Sequence, residues 1–291
     1  MSRIKPYLKA MRPIQWAKNG FMFIPLIFDA KLTNLPALRM TVLGFIIFCL
    51  LYSGIYLFND IIDREADRLH PKKSSRPIAS GQIKVKSAWI VSITLVAGSL
   101  AAAALLKFEF FLTALIVVLI NVLYTFWLKK IPLIDVLTIG ILFVLRVIAG
   151  VILITVKVFS PWLYLMTFML SLYLGFGKRR SELISLPETA GQTRVVLNGY
   201  TLDLLDQLIT IVSSVTIMAY SLYTFSGPTL PGNNFMMLTI PIVAYGIFRY
   251  HYLIQIENAG GAPEDILLKD RPLRLTLITY GIAVLIGIYL I

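Results

Sequence analysis

Between residues 59 and 81 the chain reads NDIIDREADRLHPKKSSRPIASG, and four of its oxygen-bearing side chains share a helical spacing. At 100° per residue, Asn59, Asp60, Asp63 and Asp67 fall within an arc of roughly 100° on one face of a helix. Three carboxylates placed so closely repel one another unless a cation sits among them. Oxygen ligands without His or Cys select a hard ion, Mg²⁺ before Ca²⁺ or Zn²⁺. Mg²⁺ favours one or two carboxylates plus substrate phosphates, which matches a diphosphate leaving group. Lys72, Lys73 and Arg76 follow at once, two point charges and a planar fork suited to phosphate oxygens. The plain alternative is a solvated amphipathic loop with local pairs such as Asp60–Arg64. Carboxylates set directly at the end of an apolar run are costly to place without purpose, which favours the ligand reading.

The elements that must position this segment are apolar runs. They lie at 19–31, 37–58, 87–106, 108–128, 133–155, 158–176, 203–225, 234–252 and 272–291. Most approach the ~20 residues that a helix needs to cross a hydrocarbon core. The first is short and interrupted by Pro25. Backbone groups in lipid must be satisfied internally, so runs of this length are expected to be helices, and the absence of strict alternation excludes a β-barrel. The expected fold is therefore an all-α polytopic membrane protein of about nine transmembrane helices. A hydrophobic fraction of 58% against 14% charged residues excludes a soluble domain of 291 residues. Mean hydropathy, at +0.80, agrees. Residues 1–18 are basic and amphipathic and do not read as a cleaved signal peptide. One cysteine, Cys49, and two histidines, His70 and His251, leave no disulfide framework and no histidine-rich metal site.

Charge separates the loops into two sets. Lys and Arg number five in residues 1–18, seven in 59–86, two in 128–132, four in 177–200 and four in 249–274. The opposite loops and span edges hold only Lys31, Arg39, Lys107 and Lys157, and Arg146 alone falls well inside a span, away from its ends. The positive-inside rule then places the amino terminus and the long loops in the cytoplasm, in an inner or plasma membrane. Most acidic residues share those loops: Asp60, Asp63, Glu65 and Asp67, then Glu182 and Glu188, then Glu257, Glu264, Asp265 and Asp270. Topology alone asks for no carboxylates there. Acids interleaved with bases on one face suit a metal-bound anion rather than nucleic acid.

The Asn-Asp-x-x-Asp-x-x-x-Asp segment at 59–67 resembles the first signature of the UbiA-type intramembrane prenyltransferases. YTFWLKKIPLIDVLTIGILFVLRVIAG at 124–150 is similar to that superfamily's central segment. RPIQWAKN at 12–19, the His-Pro-x-Lys-x-x-Arg-Pro-Ile-Ala-x-Gly run at 70–81, GKRRSEL at 177–183 and ENAGGAPEDILLKDRPL at 257–273 resemble the decaprenyl-phosphate phosphoribosyltransferase branch. The resemblance implies a single transmembrane transferase domain over residues 1–291, with helices around a central cavity. Loops 59–86, 177–200 and 253–271 would cap the site. It also implies a donor, 5-phosphoribosyl 1-diphosphate, and an acceptor, a polyprenyl phosphate in the membrane. Members that prenylate aromatic acceptors carry a second Asp-x-x-x-Asp after the sixth span; here Lys178, Arg179, Arg180 and Glu182 stand in that loop. The rival expectation on the same scaffold is transfer of an isoprenoid from a prenyl diphosphate to an aromatic or other small acceptor.

Under that resemblance Asp60, Asp63 and Asp67 would hold Mg²⁺ against the diphosphate, with Asn59 as neutral ligand or orienter. Lys72, Lys73 and Arg76 would offset its developing charge. Lys178, Arg179 and Arg180 are candidates for the donor's 5-phosphate. The acceptor is a phosphate monoester, largely ionised at neutral pH, so it needs little general-base help. Arg12 and Lys18 flank Trp16 at the first span, where a lipid phosphate would sit. Arg146 is a functional candidate as an intramembrane charge, with a salt bridge to Asp135 or packing as the alternatives. Tyr124 and Lys129 face either the cavity or the interface. Glu257, Glu264, Asp265 and Asp270 are expected to bind ribose hydroxyls or cap a lid helix. A transporter would show internal repeats and broken, charged helices, and neither is evident.

Overall fold

The apolar runs become helices because nothing in a bilayer would replace their backbone hydrogen bonds. In the computed structural model, residues 4–69, 73–156, 160–185, 195–228, 230, 234–257, 260, 261 and 263–290 are described, and no strand occurs among them. The helices in chain order are α1 (Ile4–Met11), α2 (Ile24–Phe28), α3 (Leu35–Ile62), α4 (Arg64–Leu69), α5 (Val85–Leu106), α6 (Phe108–Phe126) and α7 (Ile134–Ile154), followed by α8 (Pro161–Ser185), α9 (Leu202–Ser226), α10 (Ile240–Gln255), α11 (Pro263–Lys269) and α12 (Arg271–Tyr289). Short 3₁₀ segments join several of them, the longest being Pro13–Phe23.

Seven described segments are long and apolar enough to cross a membrane: α3, α5, α6, α7, α9, Phe235–Gln255 (which contains α10) and α12. Two of the nine runs read from the sequence are not among them, for separate reasons. The run around Pro25 forms an 11-residue 3₁₀ segment and then the five residues of α2, too short a helix to span. Helix α8 has 25 residues, but its last two turns carry Lys178, Arg179, Arg180 and Glu182.

The helix starts follow local chemistry. Asn34 caps α3, its side chain accepting from the Ala37 amide at 3.0 Å, with Pro36 in the first turn. Thr201 does the same for α9 through Leu204 at 3.2 Å.

The chain divides into two compact units. The first comprises residues 1–26, 32–129 and 145–155, the second 27–31, 130–144 and 156–291. In the first unit α5 lies along α3 at a glycine. A Cβ on Gly54 would stand 2.8 Å from Val96 and 3.0 Å from the Ser92 carbonyl, and Ser92 Oγ donates to the Gly54 carbonyl at 2.8 Å. Small residues let apolar helices approach closely where lipid provides no hydrophobic drive. In the same unit Gly150 meets the Met22 carbonyl, which a Cβ would contact at 2.2 Å. In the second unit Tyr173, Phe176, Leu205, Ile209, Tyr250 and Leu253 form the centre of a buried cluster.

The start of α12 illustrates how this second unit is tied. Asp270 accepts from the Leu273 amide at 2.8 Å and from Arg249 Nη2 at 2.7 Å. The Arg249 hydrogen bond, foremost, holds its carboxyl below the ordinary range. A depressed folded-state pKa stabilises above the unfolded value and loses that contribution as pH falls through the folded one. Asp270→Ala is therefore expected to cost about 1 kcal/mol for the lost cap. In thermal unfolding at neutral pH the variant should trail the wild type, and the gap should close below about pH 4. An unchanged gap on acidification would remove the ion pair from this account.

Candidate active site

The acidic segment sits where α3 runs out. Asp63 is the last residue held by the α3 ladder, its amide bonded to the Asn59 carbonyl at 2.9 Å, with φ −86° and ψ 5°. A new short helix, α4, begins at Arg64. The single helical face inferred from spacing requires one unbroken helix through Asp67. The break at Asp63 divides it, and each carboxylate meets a cation. Asp60 accepts from Arg12 Nη2 at 2.5 Å and from Arg76 Nη1 at 3.0 Å. Asp67 accepts from the same Arg76 Nη1 at 2.6 Å. Asp63 accepts from Lys129 Nζ at 2.5 Å. Asn59 Oδ1 accepts the hydroxyl of Thr125, one turn before Lys129. Asp60 and Asp67 are buried, whereas the Asp63 side chain is 36% exposed.

Arg12, Asp60, Arg76 and Asp67 thus form one network with Asp63–Lys129 as a separate pair, and burial of Asp60 and Asp67 is offset by the charges beside them. Among the described residues no three His, Cys, Asp or Glu side chains group to hold a metal ion by themselves. Asp60 and Asp67 nevertheless converge on one point of positive charge, Arg76 Nη1. Two carboxylates, a partly exposed third and an amide oxygen are the hard donor set that Mg²⁺ takes together with substrate phosphates, so the residues fit that ion.

The other expected residues divide as follows. Lys72, with His70, lies outside the described residues, as does the Glu264 side chain. Lys73 opens the 3₁₀ turn before Arg76, and its carbonyl accepts the Arg76 amide at 2.9 Å. Tyr124 is half-buried next to Thr125. Arg12 points to Asp60 and lies 5.1 Å from the centre of the Tyr56 ring. Trp16 donates to Ser53 Oγ at 3.0 Å, and Lys18 is half-buried on the same 3₁₀ segment.

Arg146 corrects one reading. The salt bridge to Asp135 is out of reach, because that residue precedes it by 11 positions on α7, about 16 Å along the axis. The Arg146 Nε donates instead to Asn19 Oδ1 at 3.0 Å, and the guanidinium lies 4.0 Å over the Tyr52 ring. Asn19 in turn donates to Cys49 Sγ at 3.4 Å. Thr125, Asn19 and Tyr52 are not among the residues that spacing singles out. The amides at Asn19 and Asn121 inside or beside apolar runs are the available signal, since lipid-phase polar groups are rarely idle.

Lys178, Arg179, Arg180 and Glu182 belong to the second unit, and the two arginines are occupied by carboxylates rather than open to a phosphate. Arg179 is 1% exposed; its Nε donates to Asp135 at 2.7 Å and its Nη1 to Glu182 at 2.5 Å. Tyr200 donates to the other Asp135 oxygen at 2.7 Å and accepts the Leu133 amide at 2.7 Å. Burial first, then the bond to Asp135, raise the Tyr200 phenol above its ordinary pKa, so it stays a donor. Arg180 bonds Asp206 at 2.6 Å, the Ile254 carbonyl at 3.0 Å and Gln255 at 2.9 Å. Lys178, two residues before Arg180 on α8, is half-buried. In the last loop Asp270 serves as a helix cap, and Glu257 lies 4.0 Å from Arg249.

The UbiA prenyltransferase family model matches residues 30–264. The chain belongs to this family. Two proteins named decaprenyl-phosphate phosphoribosyltransferase are similar to it almost end to end. One, from Mycobacterium tuberculosis, is 31% identical over 289 residues, covering 96% of this chain and 94% of its own. The other, from Corynebacterium glutamicum, is 30% identical over 288 residues, covering 97% and 86%. The fold agrees with the structure of a UbiA homolog from Archaeoglobus fulgidus bound to DMAPP and Mg²⁺, at a TM-score of 0.74 and 22% identity, covering 98% of this chain and 99% of that one. Family membership and the apolar helices make this a multi-pass membrane protein and a transferase.

Proposed function

We propose that the chain transfers 5-phosphoribose from 5-phosphoribosyl 1-diphosphate to a polyprenyl phosphate, with Mg²⁺, releasing diphosphate. The observation that carries the reading is the charge-balanced cluster at the end of α3, where Asp60, Asp63 and Asp67 meet Arg12, Arg76 and Lys129. Near-complete similarity to proteins named for this reaction supports the choice of donor. The acceptor's phosphate oxygen attacks the anomeric carbon as the bond to diphosphate breaks. The chief demands are stabilising the departing charge and aligning the two substrates.

Asp60, Asp63 and Asp67, with Asn59 oriented by Thr125, would hold Mg²⁺, which would supply part of that stabilisation when bound. Arg76, Lys129, Lys72 and Lys73 supply the rest by turning cationic groups to the diphosphate oxygens. Lys178 is assigned to the donor's 5-phosphate, with Arg179, Arg180 and Glu182 as its positioning residues. Arg12, Lys18 and Trp16 receive the acceptor's phosphate, and Tyr124 lines the approach. Arg146 braces the first 3₁₀ segment through Asn19 behind them. In this reading one transmembrane domain of nine spans, counting α8 and the Pro13–Phe28 segment, surrounds a cavity open to the cytoplasmic side of a cell inner or plasma membrane.

Purified protein in detergent, given Mg²⁺, labelled phosphoribosyl diphosphate and a polyprenyl phosphate, is expected to move label into the lipid phase. Label that stays aqueous, together with turnover of a prenyl diphosphate and an aromatic acceptor, would transfer the assignment to isoprenoid transfer.

A further inference from the structure

Helix α1 is divided into three faces. Tyr7, Ala10 and Met11 point inward, packing with Leu57 and Ile61 of α3 and with Ile78, Ile83 and Ala88. Ile4 and Leu8, one turn apart, point outward and are 65% and 48% exposed; Ile14, just beyond the helix, is 69% exposed. Lys5 and Lys9 form the third, exposed face, with Lys9 Nζ 3.3 Å from the Ser75 carbonyl. An apolar stripe and a basic stripe side by side on one short helix do not suit water and do not suit hydrocarbon. They suit the boundary between the two.

The place of the helix gives its depth. Helix α3 has 28 residues, about 42 Å at 1.5 Å each, some 12 Å more than a hydrocarbon core of about 30 Å. Helix α1 packs on the last two turns of α3, the end whose Asn59 and Asp60 are unsuited to hydrocarbon. Arg12 follows α1 directly, in the left-handed region at φ 53°, and its guanidinium is on Asp60. The backbone of α1 is thus directly continuous with the cation that neutralises a buried carboxylate of the cluster.

We propose that α1 lies in the membrane plane as an anchor on an anionic leaflet, with Ile4 and Leu8 in the acyl boundary and Lys5 and Lys9 on lipid phosphates. This seating holds Arg12 against Asp60. Charge complementarity selects the occupant: a neutral surface would use the apolar stripe and leave the charges of Lys5 and Lys9 without a counter-charge from the lipid, whereas each lysine near an anionic surface is worth roughly fivefold in binding.

The test uses Leu8→Cys carrying an environment-sensitive fluorophore, since Cys49 is buried. The full chain is reconstituted in phosphatidylcholine vesicles with or without phosphatidylglycerol, doped with nitroxide lipids. Quenching should be strongest from nitroxides near the headgroup, should rise with phosphatidylglycerol, and should lose that rise in Lys5→Glu/Lys9→Glu. A fluorophore in water, or quenching indifferent to lipid charge, overturns the anchor. A fluorophore shielded from both water and lipid, in a chain that runs as an oligomer, assigns the face to a second copy and also overturns it. In transfer assays Ile4→Ser/Leu8→Ser should lower kcat about tenfold with no change in thermal midpoint. Wild-type turnover in that variant, with the helix released from lipid, would sever the link to Arg12. A wild-type protein without transfer activity would defeat the proposed reaction, and the quenching arm would still decide the anchor.

Discussion

Asp63→Asn is expected to abolish transfer, lowering kcat/KM about a thousandfold while leaving the folded protein intact. The substitution keeps shape and one acceptor oxygen, and removes the charge at the carboxylate that is partly exposed at the α3 terminus. Its partner Lys129 then loses its counter-ion at 2.5 Å but is partly exposed and able to hydrate, so stability should change little. Asp60 and Asp67 are different, because each carboxylate is itself buried and ion-paired to Arg76, so a substitution there disturbs the packed interior as well as the charge. Asp63 is therefore the position where chemistry and folding separate most cleanly. Label transfer to polyprenyl phosphate and the thermal midpoint should be measured on the same preparation. Retained turnover would remove Asp63 from the metal-binding assignment, and a collapsed midpoint would reassign it to structure.

The second large effect concerns stability. Arg179→Met should destabilise the second unit by about 3–5 kcal/mol, since it leaves Asp135 buried with the Tyr200 hydroxyl but without its cation. Methionine keeps most of the volume, so a cavity contributes little. Adding Asp135→Leu should restore much of the loss, because replacing both members of a buried pair by apolar groups avoids the unpaired charge. Denaturant unfolding of the two variants measures this directly. If the single variant unfolds with the wild type, Arg179 is not the structural clamp its contacts describe, and its assignment returns to phosphate binding.

These two positions also separate what is legible in the chain from what is not. Asp60, Asp63 and Asp67 stand out because their spacing puts three carboxylates on one helical face at a span end, where they repel one another unless positive charge lies among them. Their cations do not stand out. Arg12 is 48 residues from Asp60 and Lys129 is 66 from Asp63, and no local pattern joins them. Arg76 reads from its spacing as a cation for phosphate, but its hold on two carboxylates at once depends on the turn that starts at Lys73. Lys178, Arg179 and Arg180 look alike in sequence, as a basic run after an apolar helix. Only the fold distinguishes them, by setting Asp135 from 44 residues upstream and Tyr200 against one arginine, and Asp206 and Gln255 against the next.

Hydropathy and the scarcity of charge within the runs are enough to establish a helical membrane protein, since a bilayer admits few other solutions for such segments. The dense acidic motif is enough to locate the candidate chemistry. Which charges serve the fold and which face substrate is decided by tertiary structure. Coulombic pairing at 2.5–3.0 Å requires side chains from distant helices to arrive at the same point, and periodicity within a single helix contains no information about that meeting.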